Sequence, residues 1–86
     1  MATKTLADRP LPTLASGGLP QPGMCVVTFD GHRGVVLWTT PLMYRDEAGK
    51  PREAAYTDPD YWKTLVRLTD GSTHRYTTAT LKEVSA

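Results

Sequence analysis

Short apolar runs broken by turn dipeptides dominate the chain. "MCVVTF" (24–29) and "GVVLWT" (34–39) are rich in β-branched and aromatic residues, and Asp30-Gly31 stands between them. That pattern predicts two strands joined by a tight hairpin. "YWKTLVRL" (61–68) alternates, with Trp62, Thr64, Val66 and Leu68 on one side and Tyr61, Lys63, Leu65 and Arg67 on the other. The even set is the inward one, because a strand sends successive side chains to opposite faces. Asp70-Gly71 marks the next turn, "THRYT" (73–77) the return strand, and "TATLKEV" a short turn and a last strand end that buries Leu81 and Val84. Trp38 and Trp62 are the largest apolar side chains within these runs and are expected in the core.

Helical periodicity is nearly absent. "KPREAAY" (50–56) offers one or two turns at most, and Thr57-Asp58-Pro59 suits the cap of another turn at "DPDYW". Residues 40–60 form a connection that is long for so small a domain. It is either a functional loop or, as preferred here, a projecting hairpin that turns near Gly49 and pairs Met43 and Tyr44 with Ala55 and Tyr56.

The first 22 residues break every period. Pro10, Pro12, Pro20 and Pro22, with Ser16-Gly17-Gly18, predict a disordered Pro/Gly-rich tail. The alternative is a docking peptide anchored by Leu6, Leu11, Leu14 and Leu19, with "RPLPTL" a partial proline-rich ligand pattern. The expected domain organisation is therefore a tail over 1–22 and one small all-β barrel over 23–86. Barrel closure removes the exposed edges that an open five-stranded sheet would carry.

Composition narrows the function. With 86 residues, 40% hydrophobic and 22% charged, the chain is one ordinary globular domain with a small core. Lys4, Asp8 and Arg9 account for the whole net charge of +1, so residues 23–86 are neutral. The chain thus lacks the basic excess usual in a nucleic-acid binder. Cys25 is the single cysteine and makes no intrachain disulfide. It lacks companions for a zinc site beyond His32 and His74, and reads as a small buried hydrophobe. No signal-peptide h-region or membrane-spanning run is present, so a cytoplasmic protein without membrane contact is expected.

The glycine-flanked "FDGHRGVVLW" (29–38) enters a strand, whereas a phosphate-binding loop enters a helix N-terminus. It is read as a hairpin: Gly31 supplies the turn, Gly34 a bulge or close approach, and His32 and Arg33 are solvated. No nucleophile motif, metal spacing or cofactor fingerprint occurs. Asp46-Glu47 and Asp58/Asp60 read as solvated loop charge.

The order of strands, turns and long second connection over 23–84 resembles the SH3-like and Tudor-like small barrels. "TDPDYWKTLVRLTDGSTHRYTTATLKEV" is similar to the C-terminal half of the hypervirulence-associated TUDOR-domain family, through Asp58, Pro59, Tyr61, Asp70, Gly71 and Leu81. That resemblance implies a Tudor-like barrel. "GSTHRYTTATLKEV" also resembles a strand of the plasmid-borne type II dihydrofolate reductases, through Gly71, Ser72, Tyr76, Ala79 and Leu81. That likeness implies an oligomeric reductase with a shared pore. His74 and Arg75 replace that family's pore residues, Thr28 stands where its first strand contributes a basic residue to ligand binding, and four copies of Arg75 would repel one another.

Two surfaces remain as functional candidates. Tyr44, Tyr56 and Tyr61, in or beside the long connection, suit a partner-binding surface for a protein or peptide, and this non-catalytic interaction module is the main expectation. Lys63, Arg67 and Arg75, outward on two neighbouring strands, suit a basic stripe for nucleic acid, with Tyr61 to stack on bases. A monomer or a small homo-oligomer joined by strand edges fits either.

Overall fold

The computed structural model describes residues 9–84 and is all-β apart from one 3-10 turn. Seven strands follow in order: β1 (Cys25–Val27), β2 (Arg33–Pro41), β3 (Met43–Arg45), β4 (Pro51–Glu53), β5 (Trp62–Leu68), β6 (Thr73–Thr77) and β7 (Lys82–Glu83). The 3-10 turn, Thr78–Thr80, separates the last two. A five-stranded antiparallel sheet has the order β6-β5-β2-β1-β7, and β3 and β4 form a two-stranded sheet of their own. Among the described residues, no helix is long and apolar enough to cross a membrane.

Both Asp-Gly turns form as their residue types demand. Gly71 takes φ +89°, a left-handed conformation that glycine adopts without penalty, and its N–H donates to the Leu68 carbonyl. The Asp70 carboxylate accepts the Ser72 N–H and hydroxyl at 2.9 and 2.6 Å, so the β5–β6 turn is held by the side chain that begins it. That hydroxyl, followed by the backbone N–H, holds the Asp70 carboxyl below its ordinary range.

The long connection is a hairpin, with Met43 opposite Glu53, Tyr44 opposite Arg52 and Arg45 opposite Pro51. Its turn is closer to Met43 than the sequence pairing with Ala55 and Tyr56 assumed. Asp46 sets the register: its carboxylate accepts the N–H groups of Ala48 and Lys50 at 2.9 Å each and pairs with Arg52 at 2.9 Å. The stretch 50–56 that offered a helical turn is instead strand β4 and its exit.

On β5 the alternation is as the sequence requires: Thr64, Val66 and Leu68 are buried, and Trp62 is half-buried. On β2 it is interrupted. Val36 lies opposite Val66 and Trp38 opposite Leu65, which leaves Leu37 as an extra, bulged residue. One inserted residue exchanges the two faces of everything that follows. Trp38, expected in the core with Val36, is therefore turned to the outside and is 56% exposed. Cys25, expected to be a buried hydrophobe, is exposed for a different reason: β1 is regular and Val26 is its buried member, so the adjacent Cys25 points outward.

The core is Leu14, Val26, Val36, Val66, Leu68 and Leu81. Leu14 belongs to the segment expected to be a free tail. Of that segment, residues 1–8, including Leu6, lie outside the described residues; residues 9–22 pack on the sheet. Ala15 N–H donates to the Leu81 carbonyl at 2.8 Å, and Glu83 N–H donates to the Ser16 hydroxyl at 2.9 Å. The five-stranded sheet has too few large inward residues to cover itself, so an apolar side chain from a neighbouring segment is drawn in. Leu11 and Leu19 stay exposed. Leu14→Ala is expected to cost about 2–5 kcal/mol, the range for a buried leucine. Urea denaturation reads it, and a passive tail would give no change.

Candidate functional site

The outer face of the five-stranded sheet carries the most distinctive chemistry. Residues opposite one another in an antiparallel ladder share a face. Across the sheet the outer rows are therefore Lys82, Val27 and Arg33; then Cys25, Val35, Arg67 and Thr73; then Trp38, Leu65 and Arg75; then Thr40, Lys63 and Thr77. Cations thus stand around an apolar strip that ends in an exposed tryptophan. Among the described residues no outer ladder position holds Asp or Glu, and no ion pair engages Arg33, Lys63, Arg67, Arg75 or Lys82. Lys63 donates to the Thr77 hydroxyl at 2.8 Å, and that hydroxyl donates to Asp60 at 2.9 Å; Asp60, like Asp30 and Asp70, lies in a turn and not on an outer ladder position. Glu83 is opposite Val26 and belongs to the other side.

The sequence-predicted basic residues Lys63, Arg67 and Arg75 are brought together on this face as expected. Arg33, Lys82 and Trp38 join them, which the sequence did not reveal. Arg33 read as a solvated turn residue, Lys82 lies on a two-residue strand, and Trp38 reaches the face only through the bulge.

The predicted tyrosine surface is divided. Tyr44 is exposed on the hairpin at 56%. Tyr56 is half-buried and meets Tyr61 edge-on, with ring centroids 5.3 Å apart. Tyr61 is 1% exposed and is no docking surface. It precedes the first paired residue of β5, where the 58–61 turn swings its ring inward, so strand alternation does not govern it. Its hydroxyl donates to Glu53 and accepts from Arg9 Nε at 3.0 Å. Arg9 also lies 4.7 Å from the Trp62 ring centroid, and the Trp62 indole N–H donates to the Pro10 carbonyl at 2.8 Å. The Tyr56, Tyr61 and Trp62 rings thus anchor the N-terminal segment and the base of the hairpin. Burial, followed by the hydrogen bond to Glu53, pushes the Tyr61 phenol above its ordinary value.

A second group of rings lies at the β6 edge. Phe29 is 74% exposed and meets Tyr76 edge-on at 6.2 Å, and His74 stands 6.5 Å from the same ring. With Lys63 and Arg75 they border a cleft of about 380 Å³. Phe29 was missed because it closes a β-like run; its place against Asp30-Gly31, in a turn that the Thr28 hydroxyl organises, was the available signal.

Comparison with protein-family models, with curated proteins and with solved structures finds no match to this chain.

Proposed function

We propose that this protein is a non-catalytic nucleic-acid-binding module of SH3-like, partly open barrel type, and that the outer sheet face is its binding surface. The observation that carries the reading is charge segregation. The chain is nearly neutral, yet Arg33, Lys63, Arg67, Arg75 and Lys82 share one face with no carboxylate among its ladder positions. Such a face attracts a polyanion, and the exposed Trp38 ring at its centre supplies a stacking platform for bases. Net charge hides the arrangement: on the hairpin Arg45, Lys50 and Arg52 offset Asp46, Glu47 and Glu53, and the acids that balance the five sheet cations, Asp30, Asp58, Asp60, Asp70 and Glu83, stand in turns or on the other side of β7, off the outer ladder positions. For the barrel, support comes from the five-strand antiparallel order, the bulge that bends β2 and the 3-10 turn before the last strand. The cytoplasm is proposed as the compartment, on the lone exposed thiol of Cys25.

A protein or peptide partner is the second reading. It rests on the projecting hairpin, where Met43 and Tyr44 are both more than half exposed.

Fluorescence anisotropy with labelled single- and double-stranded oligonucleotides at several salt concentrations separates the two. The nucleic-acid reading expects affinity that falls steeply with salt. Replacing Lys63, Arg67 and Arg75 together by alanine should flatten the log–log slope by about 2, at about 0.7 per phosphate contact on a single strand. Trp38→Ala should weaken binding about tenfold with little change in that slope. Absence of binding at low salt would sink the reading, and partner capture lost on Tyr44→Ala would favour the hairpin.

A further inference from the structure

The outer face is not flat. Between β1, β2 and the end of β5 it holds a hollow of about 360 Å³, within the range of small-ligand sites. Its apolar wall is built from Cys25, Val35 and Val84, and Arg33 and Arg67 stand at its border. Cys25, Val35 and Arg67 occupy one ladder row, so thiol, isopropyl group and guanidinium lie side by side. We propose that this hollow receives a nucleobase of the same single strand whose other base stacks on Trp38. The inference rests on the nucleic-acid reading above and deepens it.

Three features point to a base. The wall is apolar and broad, which suits a planar ring. The two arginines are exposed and outside every ion pair among the described residues, so they are available to a flanking phosphate or to the edge of the base. The hollow and Trp38 share the β2 strand, three residues apart across the bulge, or about 10 Å at the usual rise per residue. That span is about three stacking steps of 3.4 Å, so a few nucleotides reach both places, but a base that enters the hollow or lies on the Trp38 ring has to leave its neighbours in the stack. A duplex, whose bases stay paired and stacked, cannot do this. The ligand class is accordingly an unpaired oligonucleotide, and the Arg33/Arg67 border makes a neutral apolar peptide a poor occupant.

Cys25 supplies the readout. The full chain is alkylated with a maleimide, alone and with saturating oligothymidine of about a dozen nucleotides, a length that covers one small barrel. Parallel arms use the same backbone without bases, a duplex, and polyglutamate. Protection of the thiol by about tenfold with oligothymidine, and by far less with the abasic strand, supports the inference. Val35→Trp, which fills the hollow from an exposed position, should weaken oligothymidine by about tenfold and leave the abasic strand unchanged. Oligothymidine that binds by anisotropy yet leaves Cys25 as reactive as before overturns the base site while the nucleic-acid reading stands. Equal protection by the abasic strand, by the duplex or by polyglutamate also overturns it. Failure of every strand to bind overturns both.

Discussion

Replacing Gly34 by valine abolishes the cooperative fold. Gly34 lies in β2 between Val26 of β1 and Leu68 of β5 and is buried. A Cβ placed there would stand 2.5 Å from Val66 Cγ1 and 2.7 Å from the Arg67 carbonyl oxygen. The valine methyl can turn away, but the Arg67 backbone is fixed by the central ladder, so the two strands must separate. Overpacking a core costs about 1–3 kcal/mol even where side chains can yield, and more against backbone. A chain of this size has about 4–13 kcal/mol in total, at 0.05–0.15 per residue. Gly34→Ala is expected to lower the melting temperature by about 10 °C or more, and Gly34→Val to leave no transition by far-UV circular dichroism. The neighbouring Val35→Ala, on the outer face, should stay within about 0.5 kcal/mol of the parent. An unchanged melting temperature for Gly34→Ala would show that β2 and β5 are not in this register.

Tyr61→Ala is expected to cost about 3–5 kcal/mol, as for other large buried rings. Its ring is buried against Tyr56 and Trp62, and its hydroxyl ties Arg9 to Glu53. Removing it frees the N-terminal segment and the hairpin base together. Tyr61→Phe keeps the packing and loses the hydroxyl, at about 1–3 kcal/mol. Alkali gives a second signature. The folded state holds the phenol neutral, above its unfolded value, because of burial and then the Glu53 acceptor. The resulting stability is fully present below about pH 10, the unfolded value, and is lost as pH rises through the higher folded one. Parent and Tyr61→Phe should therefore converge in stability above pH 10, as denaturant melts would show. A surface tyrosine, as the sequence suggested, would give a stable alanine variant and no such convergence.

These two residues show where the sequence was legible. The strands, both Asp-Gly turns, the inward set of β5 and the hairpin around Gly49 followed from alternation and turn chemistry, which act locally. What failed depends on events that the pattern does not encode. A single bulged residue, Leu37, moved Trp38 from core to surface. Tyr61 stands one residue outside its strand, where a turn sets its direction. Leu14 was hidden in a Pro/Gly-rich segment whose composition reads as unfolded, although the short core had a place for one more leucine. Of the proposed surface, Lys63, Arg67 and Arg75 were legible because they lie on two strands with one turn between them. Arg33 and Lys82 required the order of the whole sheet, which brings the last strand beside the first.

Which face meets a ligand decides between the outer sheet and the hairpin. Titration of the ¹⁵N-labelled protein with unlabelled oligothymidine, followed by heteronuclear correlation spectra, reads this residue by residue. The prediction is that the Trp38 indole and the amides of Val35, Leu65, Arg67 and Arg75 shift in a concentration-dependent way, while Tyr44 and the β3–β4 hairpin stay in place. Shifts confined to the hairpin, or a spectrum unmoved at low salt, would contradict it.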